Sequence, residues 1–346
     1  MARGFQAAGQ PCVTCPMADG GEGTVDAFVA GGATRRVVRV AGPLGDPVDA
    51  AYALDRETAI VELAQASGLA RVEAQRRDVM HSDTFGTGEV IRAALDDARR
   101  IIVGIGGSAT NDVGTGMLRA LGVRFLDASG RPIARPMDAY ERLASIDMET
   151  IDPRLVRTVV DVASDVDNPL LGKDGAAAVF AAQKGATPEQ IERLERVAQR
   201  IADMAVAAVG HDWRSEPGAG AAGGVGFALI AFLRARMQRG VELIARERGL
   251  PHLLEGATLC ATGEGKIDMQ TLRGKTVFGV AELARQAGVK VVAFGGRVDD
   301  DARRALEARG IDVVQTAPSE MPAKRAMADA ARLLERAAYE YAVERR

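Results

Sequence analysis

Apolar and polar positions form short alternating runs in one part of the chain. Between residues 36 and 63 they form three short runs, Arg36–Val40, Pro47–Leu54 and Ala59–Leu63, with turn-forming residues between them. A period of two, broken by glycine, proline and aspartate, is typical of half-buried antiparallel strands. This segment is therefore predicted to fold as a small antiparallel meander.

From about Thr84 onward, short apolar runs alternate with segments of helical period. Strands separated by helices of roughly 10–15 residues indicate βαβ units and a mostly parallel sheet. The clearest helix start is Thr187-Pro-Glu-Gln190, a capping box with proline in the first turn, and this helix is predicted to reach Val209. Predicted strands are Arg100–Val103, Val123–Leu126, Val156–Val162, Ala257–Ala261, Val289–Phe294 and Val313–Thr316, after a β-prone run at Cys12–Met17; predicted helices are Glu89–Asp97, Met117–Leu121, Gly226–Arg246, Phe278–Gln286 and Ala302–Ala308, with a closing helix.

The length of 346 residues predicts about two domains, at roughly 150 residues each. Because no low-complexity linker divides the chain, one domain is expected to be built from both chain ends, with the other inserted into it. The predicted fold class is α/β, a doubly wound parallel-sheet domain of the flavodoxin or Rossmann type carrying a second α/β domain. The predicted boundaries are residues 1–35 and 240–346 for the terminal domain and 36–239 for the inserted one.

Composition and charge narrow the function classes. Hydrophobic residues at 47% and charged residues at 26% are near the globular norm, which excludes a wholly disordered chain. A net charge of −3 and only 4% aromatic residues argue against a nucleic-acid surface. The longest apolar stretch, Val225–Leu233, is far shorter than the roughly 20 residues of a membrane span. With no apolar leader and only three cysteines, the protein is expected in a reducing cytoplasm.

The first candidate site is the loop Ala18-Asp-Gly-Gly-Glu-Gly-Thr24, which precedes a helix. Successive glycines allow backbone N–H groups to converge on an anion at a helix N-terminus. Asp19 and Glu22 carry carboxylates that can hold Mg²⁺ or accept a proton. The same residues are also compatible with a tight turn whose acidic side chains favour the helix dipole.

The second candidate is Gly104-Ile-Gly-Gly-Ser-Ala-Thr-Asn-Asp112, directly after a predicted strand. Gly104-x-Gly106-x-x-Ala109, with Asp127 about 20 residues later, resembles a dinucleotide fingerprint and supports an NAD(P)-dependent oxidoreductase as an alternative function. Several polar side chains directly after the glycines instead favour a ligand richer in oxygen than a pyrophosphate alone.

Three further loops combine glycines with charged residues. Asp165 and Asp167 follow a predicted strand, where carboxylates suit a metal or a hydroxyl-bearing substrate; an Asx turn before Pro169, common at strand ends, is the structural alternative. The glycines of residues 218–224 precede a helix and suit either an anion site or a hinge. Residues 262–276 bring both charge signs to a strand end, as phosphoryl transfer requires, but lack the first glycine of a Walker A site.

Seven ordered motifs together carry a family resemblance. The chain resembles the bacterial type I glycerate kinase family from about residue 16 to the C-terminal helix. The motifs are Ala18-Asp-Gly-Gly-Glu-Gly-Thr24, Thr84-Phe-Gly-Thr-Gly-Glu89, Gly104-Ile-Gly-Gly-Ser-Ala-Thr-Asn-Asp112, Asp165-Val-Asp-Asn-Pro-Leu170, Gln183-Lys-Gly-Ala186, Gly218-Ala-Gly-Ala-Ala-Gly-Gly224 and Thr262-Gly-Glu-Gly-Lys-Ile-Asp268 with Gln270 and Gly274-Lys275.

The resemblance implies ATP-dependent phosphorylation of D-glycerate at the 2-hydroxyl, by in-line transfer in a cleft between two α/β domains. Family members begin with a strand and an Asp-Ser-Phe-Lys loop, whereas this sequence begins inside the helix that follows, at Met1–Gln6. The first strand of the family is therefore expected to lie roughly 20 residues upstream. A metabolite-binding protein without catalysis is the second alternative function.

Roles for individual residues follow from the motifs and the resemblance together. The expected cofactors are ATP and Mg²⁺, and the expected partners are small-molecule substrates, with neither nucleic acid nor membrane, and with a homodimer as a candidate assembly. The predicted catalytic residues are Asp19, Asp165, Asp167, Lys266 and Lys275; the predicted cofactor-binding residues are Gly20, Gly21, Gly23, Gly106, Gly107, Ser108, Asn111, Gly263, Glu264 and Gly265; the predicted metal ligands are Glu22 and Asp268.

Overall fold

A computed structural model describes residues 1–273 and 276–345 of the chain, apart from the side chain of residue 273. The chain forms two compact units: a smaller unit, Met1–Met17 with Val241–Arg346, and a larger unit, Ala18–Gly240. Residues 18–35, predicted from the sequence to belong with the chain ends, lie in the larger unit. The predicted domain boundaries themselves stay a prediction.

Helices and strands alternate through most of the chain, giving a mixed α/β fold. The strands are β1 Thr34–Ala41, β2 Pro47–Asp55, β3 Thr58–Glu62, β4 Arg100–Gly104, β5 Arg124–Asp127, β6 Leu143–Asp147, β7 Val159–Ala163, β8 Arg236–Gln238, β9 Leu259–Ile267, β10 Lys290–Val298 and β11 Ile311–Gln315. The helices are α1 Ala2–Ala7, α2 Thr24–Ala30, α3 Leu63–Ser67, α4 Phe85–Ala94, α5 Thr115–Ala120, α6 Ala176–Phe180, α7 Pro188–Val209, α8 Ala221–Leu233, α9 Gly240–Glu247, α10 Leu250–Leu254, α11 Thr276–Gln286, α12 Asp300–Glu307, α13 Ala323–Ala328 and α14 Ala330–Glu344.

The larger unit is built on a six-stranded sheet with the order β1-β2-β3-β4-β7-β8. The first three strands form the predicted antiparallel meander, and β3, β4, β7 and β8 pair in parallel. Ile101, Ile102 and Val103 of β4 are fully buried, because helices and loops cover both faces of the sheet at its centre. The predicted capping box at Thr187 and Gln190 is present at the start of α7.

Strand register places three chain segments at one edge of this sheet. Glu62 at the end of β3 pairs in register with Gly104 at the end of β4, and Gly104 pairs with Ala163 at the end of β7. The segments that follow these strands therefore leave the sheet side by side. Ligands of open α/β sheets bind at the carboxyl ends of the strands, so this edge is where a site is expected.

The smaller unit contains a three-stranded parallel sheet, β11-β10-β9. Alternate residues of β10 point to opposite faces. Val291 and Ala293 belong to a core with the inner faces of α11 and α12, and Val292 and Phe294 pack with α1 and α14. Helices thus cover both faces of this sheet, as in a layered α/β fold.

Two expectations about secondary structure differ from the structure. Residues 226–246, predicted as one helix, form the end of α8, the strand β8 and the start of α9; Arg234 has a φ of 54° and ends α8. The chain changes direction after α8, and β8 then pairs with β7. Arg236 and Gln238 of β8 therefore donate to the buried carboxylate of Asp161 on β7. Residues 12–17 form no strand.

Among the described residues, none of the helices combines the length and apolar character needed to cross a membrane.

Candidate active site

The loop of residues 18–23 lies directly against the carboxyl ends of β4 and β7. The N–H of Gly106 donates to the carbonyl oxygen of Gly20 at 3.1 Å. A Cβ atom on Gly20 would lie 2.4 Å from the carbonyl oxygen of Ala163, and one on Gly104 would lie 2.5 Å from that of Gly20. These glycines therefore permit backbones to approach closely, which no residue with a side chain allows.

Gly240 lies against two of the three predicted catalytic aspartates of the larger unit, at the backbone of Asp19 and at the carboxylate of Asp165. A Cβ atom on Gly240 would lie 1.9 Å from the carbonyl oxygen of Asp19 and 3.4 Å from Oδ2 of Asp165. The N–H of Gly240 donates to Oδ1 of Asp165 at 3.0 Å, and Oδ1 of Asp19 accepts the N–H of Gly21 at 3.1 Å. Asp19 is half-buried, whereas Asp165 and Asp167 are exposed and accessible to a substrate hydroxyl.

The segment 105–112 after β4 carries the predicted phosphate-binding residues. Gly106 and Gly107 are accessible to solvent, whereas Ser108 is nearly buried. A Cβ atom on Gly107 would lie 3.2 Å from Oε1 of Glu22, and one on Gly106 would lie 2.6 Å from the Cα atom of Gly21. The two glycine loops, 18–23 and 105–108, are therefore in contact.

Lys184 is a charged residue of this region, and no role was predicted for it from the sequence. Its side chain is only 3% exposed, and Nζ donates to Oγ of Ser108 at 2.8 Å and to the carbonyl oxygen of Thr110 at 2.6 Å. Burial lowers the pKa of Lys184 to about 7, against a smaller opposite effect of Asp112. Lys184 occurs in the motif Gln183-Lys-Gly-Ala186. The sequence therefore marked this residue as part of a motif, but it did not show that its side chain is buried.

Asn111 and Asp112 have different surroundings although they are neighbours in one motif. Asp112 accepts the N–H groups of Thr84, Gly114 and Gly116 and the hydroxyl of Thr84, and so joins the starts of α4 and α5. Burial raises the pKa of Asp112. Asn111 is 1% exposed, and neither its side-chain oxygen nor its nitrogen has a hydrogen-bond partner. Asp112 therefore serves the fold, and Asn111 has polar capacity left for a ligand.

Glu62 is a second buried carboxylate that no role was predicted for. It is 2% exposed and accepts the N–H of Val25, in the first turn of α2, at 3.1 Å. Burial raises the pKa of Glu62, and its hydrogen bonds with Val25 and Gln65 oppose that effect. Its contacts assign it to holding α2, and with it the loop 18–23, on the sheet.

The remaining predicted residues lie at the end of β9 in the smaller unit. Nζ of Lys266 is 2.9 Å from a carboxylate oxygen of Asp299 and 3.7 Å from one of Asp268, and the hydrogen bond with Asp299 raises the pKa of Lys266. Glu264 accepts the hydroxyl of Thr271. Gly263 packs its backbone on β10, and Gly265 is exposed. Lys275 lies outside the described residues.

The dinucleotide alternative conflicts with the position of Asp127. A ribose-binding acid must end the strand beside the glycine loop, yet β5 pairs antiparallel with β6 in a separate two-stranded sheet. Asp127 accepts the N–H groups of Ser129 and Arg131 and the side chain of Arg131. The carboxylate of Asp127 therefore stabilises a turn. The oxidoreductase hypothesis is not supported.

The predicted metal ligands do not form a protein cage. Glu22 is exposed in the larger unit, and Asp268 belongs to the smaller unit, where it accepts the N–H of Gln270. Among the residues that the structure describes, no group of three or more histidine, cysteine, aspartate or glutamate side chains is placed to hold a metal ion.

Comparison with known proteins identifies the family. The model of the glycerate kinase family matches residues 1–344. The chain belongs to the glycerate kinase family. The glycerate kinase of Halalkalibacterium halodurans is 46% identical over 95% of this chain and 87% of its own length, and the glycerate 2-kinase of Escherichia coli is 43% identical over 87% and 80%. A Salmonella typhimurium LT2 crystal structure assigned as glycerate kinase 2 aligns with a TM-score of 0.88 at 42% identity, covering 99% of this chain and 91% of the other.

Proposed function

We propose that this protein transfers the γ-phosphoryl group of ATP to the 2-hydroxyl of D-glycerate, giving 2-phosphoglycerate and ADP. The observation that carries the proposal is membership of the glycerate kinase family over residues 1–344, with relatives named glycerate kinase and glycerate 2-kinase. The seven motifs that carry the resemblance include both glycine loops and both carboxylate segments of the candidate site.

The two aspartates beside Gly240, Asp19 and Asp165, fit the acceptor side of this reaction. Phosphoryl transfer needs a group that orients the attacking hydroxyl and takes its proton as the new bond to phosphorus forms. Asp19 is held by the N–H of Gly21, and Asp165 by the N–H of Gly240. One of the two, or the exposed Asp167, is proposed to orient the glycerate 2-hydroxyl. Positioning of this kind supplies most of the catalysis when the chemistry itself needs no covalent intermediate.

The phosphate side of the reaction is assigned to glycines and cations. Backbone N–H groups of the loops 18–23 and 105–108 and of Gly263 and Gly265 are proposed to bind phosphate oxygens, as glycine loops do elsewhere. Lys266 and Lys275 are proposed to neutralise the charge on the transferring group. Lys266 forms an exposed ion pair with Asp299 at 2.9 Å, which is weak enough for the phosphates of ATP to replace.

A magnesium ion fits the residues present only when it arrives with ATP. Mg²⁺ keeps several waters and is usually bound by one or two carboxylates together with substrate phosphates. Glu22 and Asp268 supply oxygen ligands of that kind, and no three-ligand cage occurs among the described residues. Bound at the phosphates, the ion would offset their negative charge during transfer.

The finer architecture also stays a proposal. We propose that the smaller unit corresponds to a doubly wound terminal domain and the larger unit to an inserted domain, because the smaller unit is assembled from both ends of the chain. A homodimer and a cytoplasmic location remain predictions.

A coupled assay for ADP tests the proposal. Purified protein with Mg²⁺ and ATP is expected to release ADP when D-glycerate is added, with glycerol and L-glycerate as negative controls. Phosphorus NMR of the product distinguishes the 2-phosphate from the 3-phosphate. Folded protein that releases no ADP above background with D-glycerate contradicts the proposal, and a 3-phosphate product contradicts the assigned hydroxyl.

A further inference from the structure

Lys184 is a buried cation whose hydrogen-bond partners are both neutral. Its ammonium contacts the hydroxyl of Ser108 and the carbonyl oxygen of Thr110, and no salt bridge to a carboxylate accompanies these contacts within the described residues. Burying an ammonium without a counter-ion is costly, so such groups are normally paired. A negatively charged ligand would supply the missing counter-ion.

Unsatisfied polar atoms beside Lys184 point to the same conclusion. The side-chain oxygen of Thr110 and both polar atoms of Asn111 are buried and have no hydrogen-bond partner. Buried polar atoms without partners are rare in folded proteins, and each unsatisfied group calls for an explanation such as a ligand. Three such atoms lie on two consecutive residues, next to the carbonyl that Lys184 binds.

Ser108 connects this buried cluster to solvent. Its hydroxyl accepts a hydrogen bond from Lys184, so its own proton is free to point to another acceptor. The preceding residues Gly106 and Gly107 are accessible and belong to the proposed phosphate loop. A ligand oxygen at this loop can therefore bind Ser108 directly while Lys184 provides the positive charge behind it.

We propose that Lys184, Ser108 and Asn111 form an oxyanion-binding subsite, in which Lys184 is the positioning residue and charge source for Ser108. This inference rests on the proposed function for its ligand, which is either the carboxylate of the hydroxy acid or a phosphoryl oxygen of ATP. Both are planar or tetrahedral oxyanions, and both would fill the hydrogen-bonding capacity that the protein leaves open.

Protonation of Lys184 gives the subsite a measurable signature. Because its pKa is lowered to about 7 by burial, the free protein at pH 8 holds Lys184 mostly in the neutral form. An anion favours the ammonium form, so binding at pH 8 takes up a proton. Charged groups near Lys184 among the described residues include Asp112, which holds α4 and α5, and Arg77 and Asp78, which line one depression together with Lys184. Asp78 pairs with His81, and Arg77 donates to the carbonyl oxygen of Gln183.

Titration calorimetry of the full chain tests the subsite. Wild-type protein, Lys184→Met, Ser108→Ala and the exposed control Lys173→Met are each titrated with D-glycerate and, separately, with ATP, in Tris and in HEPES at pH 8. Removing the positive charge behind Ser108 is expected to weaken one of the two ligands by about 10- to 100-fold in Lys184→Met. Removing the direct hydrogen bond to the ligand is expected to cause a smaller loss in Ser108→Ala. Lys173→Met is expected to bind both ligands as the wild type does.

The ligand that weakens identifies the source of the oxyanion. If only the affinity for D-glycerate falls, the oxyanion bound at the subsite is the carboxylate of D-glycerate. If only the affinity for ATP falls, it is a phosphoryl group of ATP. Proton uptake on binding, read from the difference between the two buffers, is expected in the wild type and absent in Lys184→Met, which a purely structural lysine would not produce. Folded variants that bind both ligands with wild-type affinity overturn the inference; if Lys184→Met does not fold, Ser108→Ala decides alone.

The ADP assay and the binding measurements distinguish an incorrect proposed function from an incorrect proposed subsite. Wild-type protein that binds these ligands through Lys184 but releases no ADP contradicts the proposed function and leaves the subsite in place. Protein that phosphorylates D-glycerate normally in both variants contradicts the subsite and leaves the function in place.

Discussion

Replacing Gly240 by alanine is expected to displace the acceptor-side carboxylates. A Cβ atom at this position would lie 1.9 Å from the carbonyl oxygen of Asp19, whereas Cβ atoms essentially never approach closer than 3.0 Å. The two segments must therefore move apart by about 1.1 Å. Both are backbone, so no side-chain rotation relieves the contact. The same movement disturbs the hydrogen bond from the Gly240 N–H to Asp165.

A displacement of this size is large for a catalytic group. Misplacing a reacting or orienting group by 1 Å can cost about 10²-fold in rate. Gly240→Ala is therefore expected to lower kcat about 100-fold, which corresponds to a rise of about 2.7 kcal/mol in the activation barrier. Steady-state kinetics with D-glycerate and ATP measure the effect, with circular dichroism to show that the variant is folded.

Gly210→Ala is a control that strains the backbone at a glycine where no steric clash occurs. Gly210 ends α7 with a φ of 76°, so alanine there costs about 1–2 kcal/mol of stability, but open space surrounds the site of its Cβ atom. This variant is expected to melt earlier than the wild type and to keep its kcat. A folded Gly240→Ala variant with wild-type kcat would refute the assignment of Asp19 and Asp165 to catalysis through this contact.

Three further outcomes are expected. Asp19→Asn, which keeps the acceptor for the Gly21 N–H, should lower kcat by about 10²-fold or more with little change in KM, and wild-type kcat would remove Asp19 from the mechanism. Lys266→Met should lower kcat more than it raises KM, in the same steady-state assay. Burial acts to raise the pKa of Asp161, but Arg236 and Arg100 hold it below its ordinary value of 3.8. The stability that Asp161 contributes is therefore complete above about pH 4 and is lost as pH falls further, so melting temperatures of Asp161→Asn should depend less on pH below 4 than those of the wild type.

The parts of the fold that local patterns encode were predictable. Alternating residues in the meander and the capping box at Thr187 act within a few residues of the chain, and both are present in the structure. Residues 226–246 were not predictable in the same way, because their apolar composition suits a helix throughout. Pairing of β8 with β7 and the ion pairs of Asp161 override that preference, and both depend on residues far away in sequence.

In the candidate site, too, some residues could be predicted from the sequence and others could not. Its glycines and carboxylates were visible as motifs, because loops at strand ends concentrate them. Glu62 lies in no motif, and Lys184 was visible only as part of Gln183-Lys-Gly-Ala186. In both cases nothing in the local sequence shows that the charged side chain is buried. Asp112 was noted only as one of several polar residues in its motif, and its role in joining two helix starts appears only when Thr84 is brought beside it.

The contact between Gly240 and Asp19 also has a consequence for the modularity of the chain. The larger unit begins at Ala18 and ends at Gly240, and Gly240 contacts Asp19, so the two ends of the unit lie side by side. A folded unit whose termini are adjacent can be inserted into another chain, or removed from one, across a gap that a short peptide spans. We therefore expect that residues 18–240 can be exchanged between relatives as one cassette through two junctions, each beside a residue of the candidate active site.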